Sequence, residues 1–361
     1  MRRKETTQTK REVKTMSWMG KLAVSAVAGA AILVGATSLT SAYAQEVKGP
    51  KVNWKFNVWG KKRAFTADVE TWAKYVSDKT GGNFKIKIYY GDQLGGKKQN
   101  LDNIKAGVFE ASKVCWSYHP AKNQAMTVLN MPFLPIKDFD MQRKVTQAIH
   151  ENPIAAGEIK KKWNVMAFSS SNLPQYEFLG RGQAPDTLEG WKGLTVRALG
   201  GLADAMRRLG TSIATMTATE VYQALDRGAA DAVSFPSTYA HSAYKIDEVA
   251  EWFTLNLSPG TNDCPNIIGL DAWSALPEQY KKLMYEAREL GYDALKTAYA
   301  KKDKENLPKW RKHLKEIKYS DAELAKFRKV GGQPVYDQWV ADNKDKFDAQ
   351  ALLDAVFAAA K

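Results

Sequence analysis

Hydrophobic and polar positions change period several times along the chain, and each change marks a new element. Residues 52–59 (VNWKFNVW) alternate with a period of two, as a strand with one buried face does. Phe65, Val69, Trp72, Ala73 and Val76 then recur at helical spacing, which predicts a helix over 64–80 closed by Gly81-Gly82. Residues 84–90 (FKIKIYY) predict a second strand, 91–96 a turn, 98–106 a short helix and 111–117 a third strand. This order implies right-handed crossovers and parallel pairing.

A second unit begins near Asn172. Residues 176–180 and 194–199 read as strands, and 202–209 as a helix closed by Gly210. Thr217-Ala218-Thr219-Glu220 has the spacing of a capping box, with Thr217 as N-cap and Glu220 at the third helical position. The helix it opens carries Val221, Tyr222, Ala224 and Leu225 and ends at Gly228; residues 231–236 then form a strand running into a turn. From Pro277 the chain reads as helix for about thirty residues, with Leu283, Ala287, Leu290 and Leu295 as its apolar stripe and Pro308 interrupting it. The remainder is helix with charged faces. Alternating strands and helices predict an α/β fold.

The chain has 361 residues and a formal charge of +14. Much of that charge sits at the start, in Arg2, Arg3, Lys4, Lys10, Arg11, Lys14 and Lys21. An apolar, small-residue run over 22–36 follows, then Ala42-Tyr43-Ala44. This is the pattern of a secretory signal peptide, 1–44, cut near Ala44. A membrane anchor is the competing reading, but the apolar run falls short of the ~20 residues a span needs. Without residues 1–44 the charge is about +9, which suits capture of an anionic solute or simple solubility. No basic run is interleaved with aromatics in a recognisable module, so nucleic acid is not an expected partner.

Catalytic motifs are missing from the sequence. His119, His150, His241 and His313 share no metal-ligand spacing, and there is no HExxH, Gly-x-Ser-x-Gly or P-loop. Gly200-Gly201 makes no dinucleotide fingerprint. No metal, cofactor or enzymatic activity is therefore expected. Export leaves two readings for Cys115 and Cys264: one disulfide or two separate buried thiols. An exported α/β protein of this kind points to a solute-binding protein whose ligand lies in a cleft between two lobes.

Several segments together resemble the TRAP-type periplasmic solute-binding family, the C4-dicarboxylate-binding class. Gly91-Asp92-Gln93-Leu94-Gly95-Gly96 followed by Leu101, Ile104 and Gly107 is similar to the family's "GQLGG…L…I..G" segment. Asn130-Met131-Pro132-Phe133-Leu134 is similar to its "lPylf" turn. Residues 188–197 (LEGWKGLTVR) are similar to "dlkGlkiR", and 220–231 (EVYQALDRGAAD) to "EvYtALqtGvvDG". Trp273-Ser274-Ala275-Leu276-Pro277 is similar to "W..LP" before the long helix.

The resemblance implies a two-lobed periplasmic binding protein fold of type II-like arrangement, with a long helix spanning both lobes. Expected lobes are 45–172 plus about 263–300, and 173–262 plus about 301–361. It also implies an organic anion as ligand, TRAP membrane subunits as partners, and a homodimer as one arrangement seen in the family. Arg197 matches the arginine that forms a salt bridge with the ligand carboxylate; a guanidinium pairs with a carboxylate bidentately.

The departures bear on the ligand. Phe235 stands where the family often has Asn, and 174–177 (PQYE) offers Gln175 where many members have a second arginine; Arg181 is the nearest. Asp231 is followed by Ala232 rather than Gly, and the first-lobe strand ends in Trp116 and Tyr118. With Trp59 at the end of the first strand and Tyr239 after Pro236, these residues predict an apolar, aromatic pocket. Such a pocket favours a monocarboxylate with an apolar or aromatic body. An ordinary C4-dicarboxylate is the alternative, with an ABC-type or sensor component as a further one.

Overall fold

The structure, a computed structural model, describes residues 46–361. The predicted signal peptide and its cut lie outside the described residues. Two sheets organise the chain. The strands β1 (Val52–Val58), β2 (Phe84–Tyr90), β3 (Ala111–Lys113) and β4 (Val165–Ser170) enter the first. The second is built from β5 (Tyr176–Gly180), β6 (Thr195–Arg197), β7 (Ser212–Ala214), β8 (Ala232–Pro236) and β9 (Trp252–Thr254). The chain then returns to the first sheet as β10 (Pro265–Gly269) and to the second as β11 (Lys315–Ile317).

The first sheet has the order β2-β1-β3-β10-β4 and the second β11-β9-β5-β8-β6-β7. Strand β1 pairs in parallel with both β2 and β3, as the alternation of strand and helix patterns implied. Strand β10 runs antiparallel between β3 and β4. The fold is thus mixed α/β and two-lobed.

Helices α1 (Ala67–Lys79), α2 (Asn100–Lys105), α3 (Phe139–His150) and α4 (Pro153–Trp163) accompany the first sheet. Helices α5 (Gly200–Arg207), α6 (Val221–Asp226) and α7 (Tyr239–Ala243) accompany the second. After α8 (Leu270–Ser274), α9 (Glu278–His313) spans both lobes, packing on α1 towards its start and on α7 further along. At the first contact Gly291 lets the helices approach closely: a Cβ there would lie 2.5 Å from Trp72 Nε1. At the second, Tyr299 stacks on Tyr239 with ring centroids 4.8 Å apart. Among the described residues no helix is long and apolar enough to cross a membrane.

Helices α10 (Asp321–Gly331), α11 (Gln333–Asn343) and α12 (Ala349–Ala359) finish the chain. Trp339, Leu352 and Val356 share an apolar cluster with Val145, Ile149 and Ile267, whereas Phe327 joins the cluster of the second sheet.

Three local expectations change. Pro308 lies inside α9 and does not end it. It is exposed, and so is Lys304, whose carbonyl loses its intrahelical donor; water can satisfy that carbonyl. The strand expected to reach residue 117 leaves the ladder after Lys113, and Trp116–Tyr118 is a 3-10 turn. There Trp116 Nε1 donates to Asp263 Oδ2 at 2.8 Å, and Cys115 is disulfide-bonded to Cys264. The bond resolves the two cysteine readings in favour of one disulfide. Finally, the 194–199 strand shortens to β6 because Gly200, at φ +55°, turns the chain into α5.

Candidate functional site

The strands of the second sheet carry Arg197 and Phe235 to adjacent positions. Arg197 ends β6 and Phe235 lies on β8; the two strands pair in parallel, with Arg197 opposite Val233. The Arg197 side chain is 1% exposed. Its Nη1 donates to Ser234 O at 2.8 Å, and Nη2 and Nε donate to Met216 O at 2.9 and 3.2 Å. Met216 is held in turn by the capping box that follows it. Thr217 N donates to Glu220 Oε2 at 2.7 Å and the Thr217 hydroxyl to the same oxygen at 2.6 Å. Those bonds keep the Glu220 carboxyl below its usual range.

A guanidinium has five N–H donors, and these contacts occupy three. Among the described residues no carboxylate lies within ion-pair distance of Arg197. A buried cation without a counter-charge is costly to maintain. The guanidinium carbon sits 4.8 Å from the centroid of the Phe235 ring. The ring's other contacts are aromatic: Tyr244 stacks on it at 5.3 Å and His241 meets it edge-on at 5.5 Å.

Phe235 forms one wall of a small cavity between the two lobes. From the first lobe come Trp59, Arg63, Phe65, Tyr118 and Cys115; from the second come Tyr176, Ala218, Phe235, Tyr239 and Tyr244. The free volume between them is about 30 Å³, room for a water or two. Closure is fastened across the cavity by the Ala218 N–H, which donates to Tyr118 Oη at 3.1 Å. Burial pushes the phenols of Tyr176, Tyr239 and Tyr244 above their ordinary value, so they remain neutral donors. A larger chamber of about 610 Å³ adjoins the cavity and shares Arg63, Tyr239 and Tyr244 with it. Its charged lining residues are all basic: Lys61, Lys62, Arg63, Lys245 and Lys302.

Of the residues expected from sequence, the structure brings Trp59, Tyr118, Phe235 and Tyr239 to this cavity. Arg197 lies behind Phe235 rather than in the cavity wall. Trp116 is elsewhere: it is fully buried in a first-lobe cluster and bonded to Asp263. Gln175 is also outside the lining, and its carbonyl accepts from Ser237 N at 3.1 Å. Arg63, Phe65, Tyr176 and Tyr244 line the cavity without having been expected. A signal for Arg63 was present, since it follows the carboxyl end of β1, where α/β sheets gather their ligand residues. Among the described residues no group of acidic, histidine or cysteine side chains could hold a metal ion.

Comparison with known proteins agrees with this architecture. The family model described as bacterial extracellular solute-binding protein, family 7 (DctP), matches residues 57–343. A monocarboxylate 2-oxoacid-binding periplasmic protein of Nostoc sp. is 26% identical over 272 residues, covering 74% of this chain and 73% of that protein. Among solved structures, the periplasmic ectoine-binding protein of the Halomonas elongata TRAP transporter superposes with a TM-score of 0.74 at 16% identity, over 85% of this chain and 99% of that one. A TRAP periplasmic solute-binding protein of Desulfovibrio salexigens, with orotic acid bound, gives a TM-score of 0.73 at 18% identity, over 86% and 100% of the two chains.

Proposed function

Because this chain belongs to the family-7 bacterial extracellular solute-binding proteins, the non-enzymatic binding components of TRAP transporters, we propose that its ligand is a monocarboxylate with an apolar body, of the 2-oxo acid class. The ligand is captured in the periplasm, in the aromatic cavity, and handed to the TRAP membrane subunits. Arg197 clamps the carboxylate, and Trp59, Phe65, Tyr118, Tyr176 and Phe235 pack the body. The observation that carries this reading is the Arg197 guanidinium, buried without a carboxylate partner and with two N–H groups unused, behind an aromatic wall. The similarity to the Nostoc 2-oxoacid binder supports the ligand class.

Reaching Arg197 requires Phe235 to turn aside, which couples binding to movement of the cavity wall. Closure over the ligand is favoured only through contacts made when both lobes meet.

The test is a thermal-shift screen of residues 45–361 against 2-oxo acids, aromatic acids, dicarboxylates and sugar acids, followed by titration of the best acid into Arg197→Ala. A ligand at 100 times its dissociation constant adds about 2.7 kcal/mol of stability. Losing one partner of a desolvated charge pair costs about 2–5 kcal/mol, or about 30-fold to several-thousand-fold in affinity. An unchanged affinity in Arg197→Ala sinks the clamp. A response confined to dicarboxylates sinks the ligand class and leaves the family assignment standing.

A further inference from the structure

The second half of α9 and the strand after it carry a basic face away from the inner cavity. Residues 301–318 hold eight Lys and Arg against three Asp and Glu, more than half of the net charge of about +9 that follows residue 44. On α9, Lys301, Lys304, Pro308 and Lys312 recur at three- and four-residue spacing and so share one side of the helix. Lys309 and Arg311 flank them, and all six residues are exposed. Tyr299, Asn306 and Trp310 are buried on the opposite side. Complementing the negative end of the helix accounts for cations in the last turn, where Arg311 and Lys312 lie, but not for Lys301 and Lys304 well before it.

The nearby acids leave part of this charge free. Glu305 lies 2.7 Å from Lys302 and 3.9 Å from Lys301, and Glu316 lies 2.7 Å from Arg311 and 2.9 Å from Lys318. Asp303 is engaged elsewhere, accepting from Thr238 N at 3.0 Å and Thr238 Oγ1 at 2.9 Å. Among the described residues no carboxylate is within ion-pair distance of Lys304, Lys309 or Lys312. Beside Lys301 and Lys304 the surface dips into an open hollow of about 620 Å³, also lined by Lys296, whose acidic lining residue is Glu305.

Residue type selects the partner. Protein–protein interfaces are depleted in lysine at their cores and are anchored by aromatic side chains and arginine. No large hydrophobic side chain is exposed among these lysines. Flexible point charges spread along a helix match a layer of phosphate headgroups instead, and each lysine held near such a surface adds about fivefold in affinity.

We propose that this face docks the protein on a membrane surface bearing anionic phospholipid headgroups. The contact is electrostatic and reversible, since α9 is not apolar enough to cross a membrane. Lys302 lines the outer chamber, so the docking face runs up to the ligand-binding region. Docking keeps the protein near the membrane subunits it serves, which raises its effective concentration there. The proposal does not depend on the ligand class given above.

The test mixes residues 45–361, without the basic and apolar start of the chain, with vesicles of phosphatidylcholine alone or in about equal parts with phosphatidylglycerol, at about 50 and about 500 mM salt. Cosedimentation measures binding. Wild type is expected to bind the phosphatidylglycerol vesicles at low salt, to leave them at high salt, and to ignore phosphatidylcholine. The triple variant Lys304→Gln, Lys309→Gln, Lys312→Gln should bind about tenfold more weakly or worse. A control with the same charge change, Lys85→Gln, Lys160→Gln, Lys161→Gln at exposed positions of the first lobe, should lose less than about threefold. Melting temperature should be unchanged in both variants. No binding by wild type, equal binding to both vesicles, an unaffected triple variant or a control that loses as much overturns the proposal. Release by inorganic phosphate but not by sodium chloride of equal ionic strength also overturns it, in favour of a phosphate site.

Discussion

The Phe235 ring covers the Arg197 guanidinium at 4.8 Å and itself forms part of the cavity wall, so the ring stands between the cavity and the cation. Cation and ring attract each other when desolvated, and the contact offsets part of the cost of burying Arg197 without a counter-charge. Phe235 therefore shields Arg197 from the cavity and, on the reading proposed above, shapes the space a ligand body fills.

Phe235→Asn should shift selectivity. An amide here replaces apolar wall by a hydrogen-bonding group and uncovers Arg197, so acids with apolar bodies should lose about tenfold in affinity relative to dicarboxylates, matching the 1–3 kcal/mol of a lost apolar contact. Competition titrations with one acid of each kind read the ratio. An unchanged ratio in a folded variant would place the ring outside contact with the ligand.

The Cys115–Cys264 disulfide joins residues separated by 149 positions and lines the cavity. On the chain-entropy account, closing a loop of this size stabilises the native state by about 4–5 kcal/mol. The double variant Cys115→Ala, Cys264→Ala should lose stability of that order in urea unfolding. Wild type under reducing conditions should approach it. A loss below about 1 kcal/mol would mean that the reduced, unfolded chain is already constrained here.

Acid should destabilise the protein through two histidines. Burial pushes His119 down to about 4, with Lys122 adding to the effect, and pushes His241 down to about 3. The unfolded chain therefore binds more protons than the folded one between pH 6.5 and those values. Stability contributed by the neutral rings is complete above pH 6.5 and is lost as pH falls towards 4 and then 3. The slope is at most about 1.4 kcal/mol per pH unit for each histidine. Melting temperature measured from pH 7.5 to 4 should fall in this window, and His119→Gln should flatten the fall. A profile identical to wild type would assign the acid sensitivity to other groups.

Elements defined by local pattern were legible in the sequence. The alternation in VNWKFNVW and FKIKIYY became β1 and β2, and Thr217 with Glu220 became the capping box that steadies the loop under Arg197. Strand β10 was not legible, because PNIIG is short and has no clean alternation. Its place between β3 and β4 depends on partners far away in sequence. The site divides in the same way. Trp59 and Tyr118 were read from strand ends, Tyr239 from the turn after β8, and Phe235 as a departure from the family it resembles. Arg63 and Tyr244, far apart in sequence, come together over Gly60, an approach that local pattern does not encode. Trp116, two residues before Tyr118, faces the first-lobe core; the 3-10 turn replaces the strand alternation that would have ordered these side chains.

The bond from Ala218 N–H to Tyr118 Oη joins the two lobes at the edge of the cavity and has no counterpart when they separate, since water then takes both groups. Tyr118→Phe deletes this bond while keeping the ring that packs on Trp59 at 5.8 Å. It also leaves the Ala218 N–H unpaired in the closed form. A hydrogen bond of this kind is worth about 0.5–1.5 kcal/mol, so the closed state should lose about two- to twelvefold in population relative to the open one. Apparent ligand affinity falls by the same factor when binding requires closure. Titration calorimetry measures the affinity, and small-angle scattering of the ligand-bound protein measures the compactness. A variant that keeps both wild-type affinity and wild-type dimensions would show that this bond forms without being coupled to closure. A variant with weaker binding but unchanged dimensions at saturation would show that the bond acts on the closing equilibrium alone, which is the expected result.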